Sequence, residues 1–264
     1  MGLFNRFQRR PEPPAVEVPE ALRSMDLEGR LGWIFTEAEK AIAPGVTPLQ
    51  IEERVVQLLQ ATGDTGYMKG YRGYPAFIGA AVNEEVVNTP PSDRPLKAGD
   101  LLKLEFGLRD RVRHAYQGWT YPVGGVSADS ERLMAAGKRA LNAALPRAIA
   151  GGRVSAVSSA IEESLKASGF DPNRQYVGFQ IGEDVHMSPQ IPCYVMPGVD
   201  LDARFQAGRT YAILVIAHEG DSMCSTRSDR WTVVSRNRRR SVLYTQMVEP
   251  TPTGPRLRTK LRPF

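Results

Sequence analysis

The chain has little of what marks a secreted or membrane-spanning protein. Its 264 residues include two cysteines, Cys193 and Cys224, without a CxxC spacing, so we expect free thiols in a reducing cytoplasm and no structural disulfide. No apolar run approaches the roughly 20 residues that span a bilayer. The first residues, MGLFNRFQRR, lack the apolar core of a secretory signal. These absences predict a cytoplasmic protein without a transmembrane segment.

What is present is typical of a folded domain with a basic end. The apolar content is 42% and the mean hydropathy is −0.32, which indicates a sizeable core. Residues 225–264 hold ten arginines and lysines against Asp229 and Glu249. A cluster of this kind can bind phosphates or an acidic partner, and the alternative is a solvated loop with a disordered tail. The cluster centres on Arg236, Arg238, Arg239 and Arg240.

Composition also divides the chain. Residues 1–25 contain PEPPAVEVPE, in which prolines prevent a helix, and we interpret them as a flexible N-terminal extension. Residues 26–259 are expected to form a single domain, and residues 260–264 a basic tail. Periodicity within the domain predicts a helix pair, strands, a second helix pair and more strands. This is an α+β fold in which the second half repeats the element order of the first.

One segment raises a question of function. LLKLEFGLRDRVRHAYQGWTYPVG is typical of two strands around a charged turn. Leu102, Leu104 and Phe106 alternate with Lys103 and Glu105, the period of a half-buried strand. A carboxylate on such a strand indicates either a surface position or a functional site.

Several segments together resemble the methionine aminopeptidase family, from about Glu28 to Thr259. They include APGVTPLQIEERV, GYPAFIGAAVNEEVV, DRPLKAGDLLKLEFGL, FQIGEDVHMSPQIP and SDRWTVVSRNRRRSV, in the order and spacing of the family. The resemblance implies the pita-bread fold, an α+β fold of two pseudo-symmetric halves whose antiparallel sheet is covered by helices.

The resemblance also implies a dinuclear metal site with two aspartates, one histidine and two glutamates, which activates water for peptide hydrolysis. The aspartates match Glu105 and Tyr116, the histidine matches His186, and the glutamates match Leu214 and Thr245. Because two of five positions keep a ligand-type side chain, we expect no metal and no cofactor.

Other positions are expected around the central cavity. The family's two substrate-contacting histidines match Asn88 and the neighbourhood of Cys193. Trp231 matches a position beside the substrate pocket, and Tyr74 and Phe77 are expected at its mouth. Core packing is the alternative for each of these aromatic side chains.

The predicted function is therefore a catalytically degenerate, regulatory or binding protein without aminopeptidase activity. Its partner is not identified: a small molecule or peptide in the cavity, or a protein, RNA or ribosome on the basic surface. One alternative is a metal-independent hydrolase, lyase or isomerase acting on a small amide or amino-acid-like molecule through Glu105, His186 and Tyr116, with Cys193 as a further candidate. Another is a residual metallopeptidase with a changed metal shell. A third possibility is that Glu105 and His186 form a buried polar pair without catalysis.

Overall fold

The computed structural model describes residues 16–196 and 203–259. Four α-helices occur within these ranges: α1 (Leu27–Glu39), α2 (Pro48–Thr62), α3 (Ala128–Ala144) and α4 (Val154–Ala167). The first strands are β1 (Thr65–Gly66), β2 (Gly79–Val82), β3 (Leu101–Arg109) and β4 (His114–Pro122). The later strands are β5 (Asp171–Pro172), β6 (Gly178–Ile181), β7 (Met187–Ile191), β8 (Thr210–His218), β9 (Cys224–Thr226), β10 (Val233–Ser235), β11 (Ser241–Thr251) and β12 (Gly254–Leu257).

One large antiparallel sheet organises the described residues. Its strands run in the order β1-β3-β4-β11-β8-β6-β7, and β2, β5 and β12 pair with β3, β8 and β11. The two hairpin strands β3 and β4 pair along their full length, from Leu101 opposite Pro122 to Arg109 opposite His114. Strands β9 and β10 form a separate two-stranded sheet. The expected sequence of helix pair, strands, helix pair and strands is present, and the fold is α+β.

The helices pack on the sheet, α1 against β3 and β4 and α3 against β8 and β11. The Phe35 ring of α1 stacks on Phe106 of β3 with ring centroids 3.9 Å apart. In α3, a Cβ at Gly137 would lie 2.8 Å from the Tyr244 ring, so glycine is what allows the helix to approach β11. Because successive side chains of a strand point to opposite faces, Glu105 and Tyr116 point away from these helices.

The start of α2 has a complete capping box. Thr47 is the N-cap, Pro48 stands in the first turn, and Thr47 and Gln50 exchange both hydrogen bonds of a capping box. This arrangement satisfies two backbone donors that a helix start leaves unpaired.

Several boundaries differ from the sequence prediction. Residues 1–15 of the extension and the tail 260–264 lie outside the described residues. Leu22, in the 3-10 helix Glu20–Ser24, is 2% exposed, so the packed part of the domain begins before residue 26. Strand β2 begins at Gly79, because Phe77 before it donates its N–H to the Glu52 side chain and not to a strand. Among the described residues, no helix is long and apolar enough to cross a membrane.

Candidate active site

A cavity of about 430 Å³ lies on the sheet face opposite the helices. Its volume falls in the range of small-molecule sites. The hairpin β3–β4 contributes the floor, the segment 67–74, Phe179 of β6 and Leu214 of β8 contribute walls, and residues near 186 and 231 contribute the rim. Aromatic rings dominate the walls: Tyr67, Tyr71, Tyr74, Tyr116, Phe179 and Trp231.

Glu105 is the carboxylate of this cavity and is 4% exposed. Its Oε1 accepts the backbone N–H of Asn88 at 2.6 Å, and its Oε2 accepts the hydroxyl of Tyr116 at 2.6 Å. Burial raises the pKa of Glu105 above its ordinary value, and these two hydrogen bonds oppose part of the rise. A Cβ at Gly79 would lie 2.6 Å from the Glu105 carboxylate, so glycine in β2 makes room for it.

Tyr116 holds the carboxylate from the facing strand. Burial and, to a smaller extent, the charge of Glu105 keep the pKa of Tyr116 well above its ordinary value. The phenol therefore stays protonated and donates to Glu105. Its ring also contacts Phe179, with centroids 5.8 Å apart, so the hydroxyl is held in place by packing as well as by the hydrogen bond.

His186 lies at the exposed rim of the same cavity. Its Nδ1 is 3.3 Å from the Tyr71 hydroxyl, and its ring is 4.4 Å from Phe179. Partial desolvation, followed by the charge of Arg72, lowers the pKa of His186. The structure thus brings Glu105, Tyr116 and His186 to one cavity, with Glu105 and Tyr116 in direct contact at the floor and His186 at the rim.

Four of the other expected cavity residues line it: Tyr74, Asn88, Leu214 and Trp231. The rings of Tyr74 and Trp231 meet edge to face with centroids 5.2 Å apart. Their contact narrows one side of the cavity above Glu105. Asn88 contributes its backbone N–H and adopts a left-handed conformation, with φ 56°.

Three expected lining residues lie elsewhere, and the prediction for them is corrected. The Thr245 hydroxyl bonds to both the N–H and the carbonyl of Gly118, at 2.6 and 3.2 Å, so it joins two strands. Cys193 is buried and donates to the Leu214 carbonyl. Burial raises the pKa of Cys193 to about 12, which leaves the thiol protonated. Phe77 lies beneath the Lys69 ammonium, 4.8 Å from its ring centroid.

Residues 32–229 match metallopeptidase family M24. The chain belongs to this family. Methionine aminopeptidase 1 of Bacillus subtilis is 31% identical over 239 residues, which cover 90% of this chain and 96% of that protein. Methionine aminopeptidase 1 of Mycobacterium tuberculosis is 30% identical, over 89% of this chain and 92% of that protein.

Solved structures support the same assignment. The methionine aminopeptidase of Thermotoga maritima superposes with a TM-score of 0.85 at 28% identity, covering 93% of this chain and 98% of that chain. The enzyme from Rickettsia prowazekii superposes with a TM-score of 0.84 at 20% identity, a likeness that concerns the fold alone. The expected pita-bread fold and the resemblance to methionine aminopeptidases are thus confirmed.

The comparisons overturn the expected function. We predicted a catalytically degenerate protein that is not an enzyme, but relatives that are 28–31% identical over about 90% of the chain are named methionine aminopeptidases. The descriptions as a pseudoenzyme and as metal-independent are likewise wrong by this finding. Membership of family M24 points to a peptidase.

The cavity of this M24 member does not assemble the dinuclear ligand set. Among the described residues, no group of three or more His, Cys, Asp or Glu side chains is placed to hold a metal ion. Leu214 presents an apolar side chain to the cavity, and Thr245 is engaged within the sheet. Tyr116 offers a phenol that is already bonded to Glu105. The residues therefore do not fit the family's two-metal shell.

The basic run of this M24 member is divided between two places. Arg236 and Arg238 border one depression with Glu84 and Arg227. Arg239 and Arg240 border another, where Arg240 pairs with Glu219 at 3.1 Å. Binding of a protein, RNA or ribosome by this run stays a prediction.

Sequence reasoning missed part of the cavity, above all Arg72 and the wall residues Tyr67, Tyr71 and Phe179. One signal was available, the spacing GYRGY, in which Gly70 and Gly73 both have φ 86°. Two glycines so close together are typical of a tight turn. That turn carries Tyr71 and Arg72 to the rim of the cavity.

Proposed function

We propose that the chain is an aminopeptidase-type hydrolase that binds the free amino group of a short peptide beside Glu105. The observation that carries this proposal is a buried carboxylate at the floor of a cavity with aromatic walls. A buried carboxylate is stabilised by a cation that enters next to it. An α-ammonium group is the cation that every unblocked peptide carries at its first residue.

The carboxylate has capacity for this role. An ionised carboxylate has about four acceptor positions, and Asn88 and Tyr116 occupy one on each oxygen of Glu105. The two that remain can accept from the substrate's ammonium and from a water molecule. Since the ammonium and the first carbonyl are separated by one carbon atom, this water lies next to the carbon that it attacks.

Glu105 then supplies the proton transfers of hydrolysis. Water adds to the carbonyl carbon while its proton passes to Glu105, and Glu105 returns that proton to the amide nitrogen as the C–N bond breaks. The raised pKa of Glu105 makes it a stronger base than an exposed carboxylate. Tyr116 holds the carboxylate in position throughout.

The walls favour an apolar first side chain. Tyr74, Phe179 and Trp231 present ring surfaces to the cavity, and a thioether contacts aromatic rings favourably. Methionine, the residue in the names of the relatives, fits these walls. We therefore propose an amino-terminal methionine or another unbranched apolar residue as the preferred one.

The cytoplasmic location stays a prediction.

Blocking the amino group tests the proposal. We expect hydrolysis of Met-Ala-Ser with release of methionine, and none of N-acetyl-Met-Ala-Ser, because acetylation removes the charge that pairs with Glu105. Liquid chromatography with mass detection measures the products, in buffer alone and with added manganese or cobalt to show whether a metal takes part. Equal hydrolysis of both peptides, or of neither under any of these conditions, contradicts the proposal.

A further inference from the structure

The cavity contains one arginine and one carboxylate, and the two lie at opposite ends of it. Among the described residues that line it, Arg72 is the arginine and Glu105 the carboxylate. Glu105 is buried at the floor, whereas Arg72 is exposed at the rim. The Arg72 guanidinium lies over the Tyr71 ring, 5.4 Å from its centroid. Within the ranges that the structure describes, Arg72 forms no ion pair with a carboxylate.

The backbone holds Arg72 in place at some cost. Its φ is 49°, and the neighbouring Gly70 and Gly73 have φ 86°. The left-handed region is unfavourable for a residue with a side chain, and residues held there concentrate at ligand-binding sites. Asn88 and His186, at φ 56° and 62°, line the same cavity. The turn thus directs a guanidinium to the rim of a cavity that already contains other strained residues.

We propose that Arg72 binds the free carboxylate of the substrate, which makes the preferred substrate a short zwitterion such as a dipeptide. This inference rests on the proposed function for the other end, where Glu105 binds the ammonium. A guanidinium pairs with a carboxylate through two parallel hydrogen bonds. The cavity, about 430 Å³, is near the small end of the range for ligand sites, as a dipeptide requires. A longer or amidated peptide places no carboxylate at Arg72.

Binding of a matched pair of ligands tests this. The probes are a methionyl-alanine analogue with a reduced, non-hydrolysable peptide bond and the same analogue with an amidated carboxyl end. Isothermal titration calorimetry measures both against the wild-type protein, Arg72→Met, Arg72→Lys and the control Arg132→Met, which changes an exposed arginine on α3. Thermal unfolding of each variant checks that it is folded.

We expect the wild type to bind the acid at least about tenfold more tightly than the amide, since charge-assisted hydrogen bonds contribute about 1.5–3 kcal/mol. Arg72→Met should lose this preference for the acid and keep the affinity for the amide. Arg72→Lys should keep part of the preference, and Arg132→Met should keep all of it. Equal affinity of the wild type for acid and amide, absence of binding of both, or a preference that survives in Arg72→Met overturns the inference. If the preference depends on Arg72 but Met-Ala is not hydrolysed, the proposed function fails, and the binding of a carboxylate by Arg72 stands by itself.

Discussion

Tyr116 and Glu105 form the hydrogen-bonded pair on which the proposed hydrolysis depends. The phenol replaces the second aspartate that the family resemblance implies, and it donates to the first carboxylate at 2.6 Å. A negative group has thus been exchanged for a neutral donor, and Glu105 faces no second carboxylate across the hairpin. The hydrogen bond favours the ionised form of Glu105 while burial opposes it.

Replacing Tyr116 with phenylalanine therefore changes the pKa of Glu105 in a known direction. The donor is lost and burial remains, so the pKa of Glu105 rises further. Hydrolysis requires the ionised carboxylate, so the acidic limb of the kcat/KM profile should move to higher pH.

The profile is measured between pH 5 and 9 for the wild type, Tyr116→Phe and the control Tyr176→Phe. Tyr176 lines the same cavity but does not bond to Glu105. An acidic limb at the same pH in Tyr116→Phe and the wild type contradicts the assignment of Glu105 as the base.

At the scale of the elements, a buried histidine joins three strands behind the cavity. His218 at the end of β8 is 0% exposed. Its Nε2 is 2.8 Å from Nδ2 of Asn173, which follows β5, and its Nδ1 is 2.9 Å from the hydroxyl of Ser235 in β10. The amide of Asn173 is a donor, so Nε2 accepts and the Nδ1–H donates to Ser235. The network requires a neutral imidazole.

Acid should therefore destabilise the fold through His218. Burial, followed by the charge of Lys103, lowers its pKa to about 4, whereas an unfolded histidine titrates near 6.5. Below about pH 6.5 the unfolded chain binds a proton that the folded chain does not, so stability falls as the pH drops toward 4. The expected contribution is a loss of about 2 kcal/mol between pH 7 and pH 5.

Urea denaturation at the two pH values measures this loss of stability. The loss should be absent from His218→Gln, whereas the control His114→Gln should show it as the wild type does. Because His218→Gln can fail to fold, an NMR titration of the wild-type imidazoles gives a second reading. A His218 resonance that titrates near pH 6.5 in the folded protein contradicts the prediction.

The elements themselves were largely predictable from the sequence, because local signals specify them. The capping box of Thr47 and Gln50 and the alternation of Leu104, Glu105 and Phe106 depend on near neighbours only. Strand ends were less predictable. Strand β6, for example, begins only at Gly178, because the Asn173 side chain accepts the N–H of Gln175 and of Tyr176 in a turn before it.

The cavity was less predictable than the elements, because it joins residues that are distant along the chain. Glu105, Tyr116 and His186 were found through the family resemblance, whereas Arg72 depends on a turn whose direction no local pattern reveals. Thr245 was placed at the cavity by position, but its hydroxyl bonds to Gly118 within the sheet. Register identifies which strand positions are adjacent, and side-chain hydrogen bonds decide which of them face the cavity.

At the scale of the whole molecule, family membership and the lining of the cavity are two separate kinds of evidence about function. The match to family M24 over residues 32–229 and the named aminopeptidases that cover about 90% of the chain point to a peptidase. The expected loss of function rested on single ligand positions, and the named relatives contradict it. The central proposal is that Glu105 carries the hydrolysis.

The most direct test is the turnover of Glu105→Gln on a methionyl peptide beside the wild type. The amide keeps the shape of the side chain but cannot accept a proton from water, so we expect kcat/KM to fall by at least about 100-fold. Glu53→Gln, on the exposed face of α2, should leave the rate unchanged, and thermal unfolding should show all three proteins folded. A Glu105→Gln rate within twofold of the wild-type rate would contradict the account.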